Sequence, residues 1–288
     1  MHKIYRRANI LYVPALLILL VFVIYPFFDG LRIAFTNWNG YSQSYRYVGF
    51  TNFRRILTDV NIRTAILNTL AYGFGSTLIQ QILGLGAALL LNEAFAGRGA
   101  ARTILYLPVM ISGVIMGYMW QYMTGYSGAL NDIVKFFGKE PVLWLSSARL
   151  TIPLLITINS FQYYGISMVI YLAGLQGIPE MYYEAAKIEG AGTSRLFWGI
   201  TLPLLYPALV TSIMINLIGG LKLFDLIRAL TGGGPGYATH SLATLINVTY
   251  FGTQNAGYAA VIGFLLFIMI LLITVALQAF FSKKEVDY

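Results

Sequence analysis

Cysteine is absent from this 288-residue chain. Disulfides, thiol catalysis and Cys-ligated zinc are thereby excluded, and cysteine usage says nothing about the redox character of its compartment. Charge is scarce as well. Asp, Glu, Lys and Arg together make 10% of the residues, where a soluble domain carries about 25%. With hydrophobic residues at 58%, that deficit points to a membrane protein. Histidine occurs only at His2 and His240, far apart in sequence and read as incidental. No metal, cofactor or catalytic cluster is expected. No G-x-x-x-x-G-K-[ST] run occurs, which removes nucleotide binding of the P-loop kind. The net charge of +8 would hint at nucleic acid in a soluble chain. Here the basic residues flank apolar runs, and a membrane-surface role accounts for them.

What the chain has in abundance is long apolar sequence. Six windows, roughly 10–28, 67–91, 103–123, 150–174, 200–221 and 258–281, contain no Asp, Glu, Lys or Arg. Each reaches or approaches the ~20 residues that a helix needs to cross the hydrocarbon core. Lipid cannot satisfy backbone polar groups, and the runs lack the alternation of barrel strands, so helices are expected. The expected fold is an all-α membrane protein with six transmembrane helices in one domain over residues 1–288. Pro14 and Pro26 should kink the first span near its ends. That span follows basic residues, as a signal peptide does, but lacks a small-residue cleavage site before Asp29 and is read as retained. Lys3, Arg6 and Arg7 favour an amino terminus inside. Basic residues are nearly balanced between inside and outside loops, but the outside loops are longer, so basic density favours the same orientation. An even number of spans then puts both termini in the cytoplasm.

The first external segment, 29–66, carries Trp38, Tyr41, Tyr45, Tyr47, Phe50 and Phe53 with arginines between them. Two readings stand: a docking surface for a soluble partner, or an aromatic belt at the bilayer interface. In the third span, Gly113 and Gly117 form a GxxxG pair that predicts close approach of another helix. In the fourth, Asn159, Gln162, Tyr163 and Ile166 fall at i, i+3, i+4 and i+7 and share one face. A polar stripe at that depth must meet water, a ligand or another helix. Amides and an aromatic ring suit a neutral sugar, whose hydroxyls need donors and acceptors and whose C–H face suits a ring. Asn159 and Gln162 fit a ligand or a neighbouring helix equally. Asn216, with Gly219 and Gly220 on the fifth span, is the facing region, and Asn216 is favoured as a helix–helix contact. The run Gly232-Gly233-Gly234-Pro235 excludes helix there.

The most informative stretch is hydrophilic and lies between spans four and five, over about 175–202. Pro179 suits a first helical position, and Glu180 suits the positive end of the helix dipole. Gly190 and Gly192 are expected to take left-handed conformations that end the helix, with Thr193 or Ser194 capping a second short helix. Glu184-Ala185-Ala186, then Gly190, then Ile200, Leu202 and Pro203 match the EAA–three–G–nine–I–x–LP signature at every fixed position. The chain thus resembles permease subunits of binding-protein-dependent ABC importers. The Phe224-Asp225 and Leu230-Thr231 to Pro235 pattern, Gly257-Tyr258, the Tyr47–Phe53 loop and Asn68-Thr69 are similar to the maltose and multiple-sugar type.

That resemblance implies the type I importer permease fold and half of a sugar-conducting pore, completed by a second homologous permease subunit. It implies two cytoplasmic ATPase subunits docking on residues 179–203, with Glu184 meeting a polar or basic site and Gly190 setting the angle between the two short helices. An extracytoplasmic solute-binding protein would deliver the sugar. The stripe at Asn159 coincides in location with the sugar site of maltose-type permeases, although the residue types differ. The alternative is a self-sufficient secondary transporter of a small neutral solute. Against it, no ionisable side chain lies in any span for a proton relay, and six spans are few for two inverted repeats.

Overall fold

The computed structural model describes residues 12–282. The amino-terminal basic cluster at Lys3, Arg6 and Arg7, together with His2, Lys283 and Lys284, lies outside them. Among the described residues the chain is helical, and the only β pairing is an isolated bridge between Thr36 and Tyr47. It divides into two compact units: residues up to Val60 with Leu245–Ile268, and Asn61–Thr244 with residues from Met269 onward.

In the first unit, α1 (Val13–Ala34) is exposed along nearly its whole length. It runs past the expected end of span one and contains a π turn at Leu20–Ile24. The buried Asn52 at the start of α2 (Thr51–Thr58) donates to the carbonyls of Ala34 at 2.9 Å and Thr36 at 2.8 Å. Ala34 closes α1 and Thr36 lies just past it, so neither carbonyl has a helical partner and one amide closes both. The aromatic segment is pinned by the Gly257 N–H, which donates to Trp38 O at 3.0 Å. Arg55 lies 4.2 Å above the Tyr258 ring, and the Tyr258 hydroxyl donates to Asp59 at 2.8 Å.

The second unit is built on α3 (Val60–Asn92), α4 (Arg98–Met110), α5 (Gly113–Met123), α6 (Ala129–Phe136) and α7 (Ala148–Gln176). The third expected span is not one helix. α4 and α5 meet at 93° across Ile111 and Ser112. Pro108 stands in a 3-10 turn at Leu107–Met110, and Ile111 is extended with ψ 132°, so the helical ladder cannot continue through it. The carbonyl of Ile111, left free by the break, accepts from the Gln162 amide at 2.8 Å.

Beyond α7 come α8 (Glu180–Ile188), α9 (Thr193–Leu196), α10 (Leu202–Leu204), α11 (Tyr206–Leu221) and α12 (Asp225–Leu230). The Phe224–Leu230 stretch, expected as external loop, is mostly the short helix α12, with Leu226, Ile227, Ala229 and Leu230 buried. The glycine pair of α5 packs on it. A Cβ at Gly117 would stand 2.5 Å from the Ala229 Cβ, and one at Gly113 would stand 3.0 Å from the Asp225 Cβ. After α12 the chain makes the Gly-rich loop and then α13 (Leu242–Asn247) and α14 (Ala256–Ser282). Asn68 of α3 donates to the carbonyls of Ala238 and His240, and the Tyr72 hydroxyl donates to that of Thr239. The His240 side chain is part of this packing. It is 4% exposed, with Nδ1 2.9 Å from the Thr244 hydroxyl.

By length and composition, four helices among the described residues could cross a membrane: Val13–Ala34, Val60–Asn92, Tyr206–Leu230 and Ala256–Ser282. Counting the bent α4–α5 pair makes five. α7 is as long as these, at 29 residues, but Asn159, Ser160, Gln162, Tyr163 and Tyr164 dilute its apolar character.

Candidate functional site

The polar stripe of α7 opens onto a cavity of about 300 Å³ within the second unit. Asn159, Gln162, Tyr163 and Ile166 form one wall because the i, i+3, i+4, i+7 spacing stacks them on one face. Ile215, Asn216, Gly219 and Gly220 of α11 form the facing wall. The joint from Lys222 to Leu226, Gly113 at the start of α5 and Gln80 of α3 complete it. The structure thus brings together all seven residues singled out from spans four and five.

Their hydrogen bonds separate them. Asn216 donates to Ser167 Oγ at 2.6 Å and is committed to a neighbouring helix. Gln162 spends its N–H on the Ile111 carbonyl, while its Oε1 is buried without a partner. Gln80 is arranged likewise: its amide donates to the Asn159 carbonyl at 3.2 Å, and its Oε1 is unpaired. Two orphaned acceptors on the wall of one cavity are costly unless something donates to them. The side-chain amide of Asn159 forms no hydrogen bond with another described residue, although only 2% of the residue is exposed. Lys222 and Asp225, of opposite charge, stand at the same cavity. Sequence reasoning missed Gln80, Lys222 and Asp225. The signal for Gln80 was the Gln80-Gln81 pair in an otherwise apolar run.

A buried network continues from Asn216. Ser167 is approached by the Gln81 amide at 3.4 Å, and Gln81 Oε1 accepts from the Ser212 hydroxyl at 2.9 Å and from the Tyr171 hydroxyl. One side-chain amide thereby ties α3, α7 and α11 together.

The second candidate region is the loop from α7 to α11. Pro179 is the residue before the first helical position, and Glu180 opens α8. Gly190 takes φ +77°, with Gly190 N–H on Lys187 O and Ala191 N–H on Ala186 O. That pair of bonds is the Schellman closure that a left-handed glycine permits. Gly192 departs from expectation: it is extended, φ −76° and ψ 167°, and itself precedes α9, which has no side-chain cap. Glu184 and Ala185 are exposed and Ala186 is half-buried; Ile200 and Leu202 are half-buried and Pro203 is exposed. Met181 and Ile188, 67% and 88% exposed, share the face of Glu184 and Ala185 by helical spacing. Neither was singled out from the sequence, since exposure of an apolar residue is not legible in a motif.

Residues 80–286 match the family described as binding-protein-dependent transport system inner membrane component. The trehalose/maltose transport system permease protein of Thermococcus litoralis is 34% identical, over 94% of this chain and 93% of that protein. The crystal structure of a bacterial ABC transporter involved in the import of the acidic polysaccharide alginate matches with a TM-score of 0.85. It is 26% identical and covers 98% of each chain. A bacterial alginate ABC transporter in complex with alginate pentasaccharide-bound periplasmic protein matches with a TM-score of 0.84, 26% identical over 98% of this chain and 97% of that one.

Proposed function

This chain belongs to the family of binding-protein-dependent transport system inner membrane components, and from that membership we propose that it forms half of the sugar-conducting pore of an ATP-driven importer. It is a multi-pass transport subunit of the membrane rather than an enzyme. A self-sufficient secondary transporter finds no support, because the family works with a separate binding protein. A second homologous permease would complete the pore, an extracytoplasmic binding protein would load it, and two cytoplasmic ATPase subunits would dock on residues 179–203. The exposed face of Met181, Glu184, Ala185 and Ile188 on α8 supports that docking: two apolar side chains around a carboxylate are costly to leave in water and suit a groove with a basic edge.

The observation that carries the sugar assignment is the cavity. It offers an unengaged amide at Asn159 and the Tyr163 ring, on a wall that Gln80 and Gln162 share. Polyhydroxylated neutral ligands donate to carbonyl oxygens and cover aromatic faces. The test is Asn159→Ala in the reconstituted importer, with maltose as the probe. Losing one polar contact weakens half-saturation for uptake by about three- to tenfold, with subunit assembly and ATP hydrolysis in the absence of sugar retained. Uptake indistinguishable from wild type across the concentration range would return Asn159 to a helix-packing role.

A further inference from the structure

The two arms of the α7–α11 loop are joined by a side-chain hydrogen bond that its motif does not announce. The Tyr183 hydroxyl, on α8, lies 3.1 Å from the Thr201 hydroxyl. Tyr183 is half-buried and Thr201 is 7% exposed. Gly190, with its left-handed turn, stands between them in the chain. Thr201 Oγ1 also approaches the Leu196 carbonyl at 3.4 Å. If its proton is directed there, the tyrosine is left as donor to the threonine oxygen. Thr201 closes a π turn, Phe197–Thr201, that leads through α10 into α11. Such turns are rare and recur at functional sites.

Little else could hold the arms rigid. Neither α8 nor α9 has a buried residue, so apolar packing contributes little to their mutual angle. A force applied to α8 would then be absorbed by bending at Gly190 and unwinding of the π turn unless a cross-link opposes it. α11 carries Asn216 and Gly220 into the cavity wall. We propose that Tyr183 and Thr201 are positioning residues, whose hydrogen bond makes α8 and the start of α11 one stiff lever between the docked ATPase and the cavity. This rests on the docking reading of residues 179–203.

The test uses the complete importer in proteoliposomes, comparing Tyr183→Phe, Thr201→Val, the double variant and Thr201→Ser. Two quantities are read: maltose accumulated per ATP hydrolysed, and the distance distribution between nitroxides at the exposed Lys187 and Thr211, with and without ATP. Each single variant should lower the transport-to-hydrolysis ratio by about three- to tenfold and broaden the distance distribution. The double variant should be no worse than the poorer single one, since both remove the same bond. Thr201→Ser, which keeps the hydroxyl, should stay near wild type. Wild-type ratios and distances in both single variants, or losses that multiply in the double one, overturn the lever. Gly190→Val separates this from the docking reading. If it is inactive while the hydroxyl variants are normal, only the brace fails; if it too transports normally, the docking reading fails with it.

Discussion

Asn159, Gln162 and Asn216 look alike in sequence, yet their surroundings give them three different tasks. Asn216 binds a serine of a neighbouring helix, Gln162 caps the carbonyl of a broken one, and Asn159 stands at the cavity with its side-chain amide bonded to no other described residue. His240 shows the same dependence on surroundings. Burial, and secondarily the like charge of Arg228, hold its imidazole below the ordinary value of 6.5. The folded chain therefore favours the neutral ring, while the unfolded chain protonates near about 6.5. As pH falls through that value, the unfolded state takes up a proton that the folded state resists, so stability declines until the folded pKa is reached. The melting temperature of the detergent-solubilised protein should accordingly fall as pH drops below about 6.5, and His240→Asn should flatten that fall. An equal pH slope in the variant would show that the Gly-rich loop tolerates a charged ring.

Among elements, α8 and the turn that ends it are the most exacting. The ideal Cβ of Gly190 would have no heavy atom within 4 Å, so bulk is not what forbids a side chain there. Its φ of +77° is, and a β-branched residue at that angle carries strain of about 1–3 kcal/mol. Relief of that strain requires the turn to open and α8 to swing. Gly190→Val should therefore reach the membrane in normal amount and abolish uptake, by lost ATPase docking or lost stimulation. Wild-type transport by this variant would remove the loop from the coupling path. The bent α4–α5 pair behaves in the opposite way: there the backbone turns extended at Ile111, and a side chain from α7 satisfies the carbonyl that this sets free.

For the whole molecule, the charge pattern proposes that both termini face the cytoplasm. Single cysteines are clean probes because the chain has none of its own. Placed at Gly97 and Ala191, they should be labelled by an impermeant maleimide only from the cytoplasmic face, and at Ser44 only from outside. All three sites are at least partly exposed. Labelling of Ala191 from outside would invert the topology and with it the ATPase contact.

Apolar length, the want of charge and the motif at Glu184 to Pro203 were enough, in the sequence alone, to specify a helical membrane protein, its family and the surface loop between α7 and α11. These are local properties: periodicity, helix propensity, and a glycine that must take positive φ. Helical spacing likewise puts four residues of α7 on one face. What spacing could not supply was the partner of each polar group. The break at Ile111, the burial of α12 and His240, the contribution of Gln80 to the cavity and the bond from Tyr183 to Thr201 all join residues distant in the chain. A carbonyl released by a break in a helix, or an amide left over in a helix crossing, acquires its role from whatever side chain packing brings within about 3 Å. Only the tertiary structure decides that.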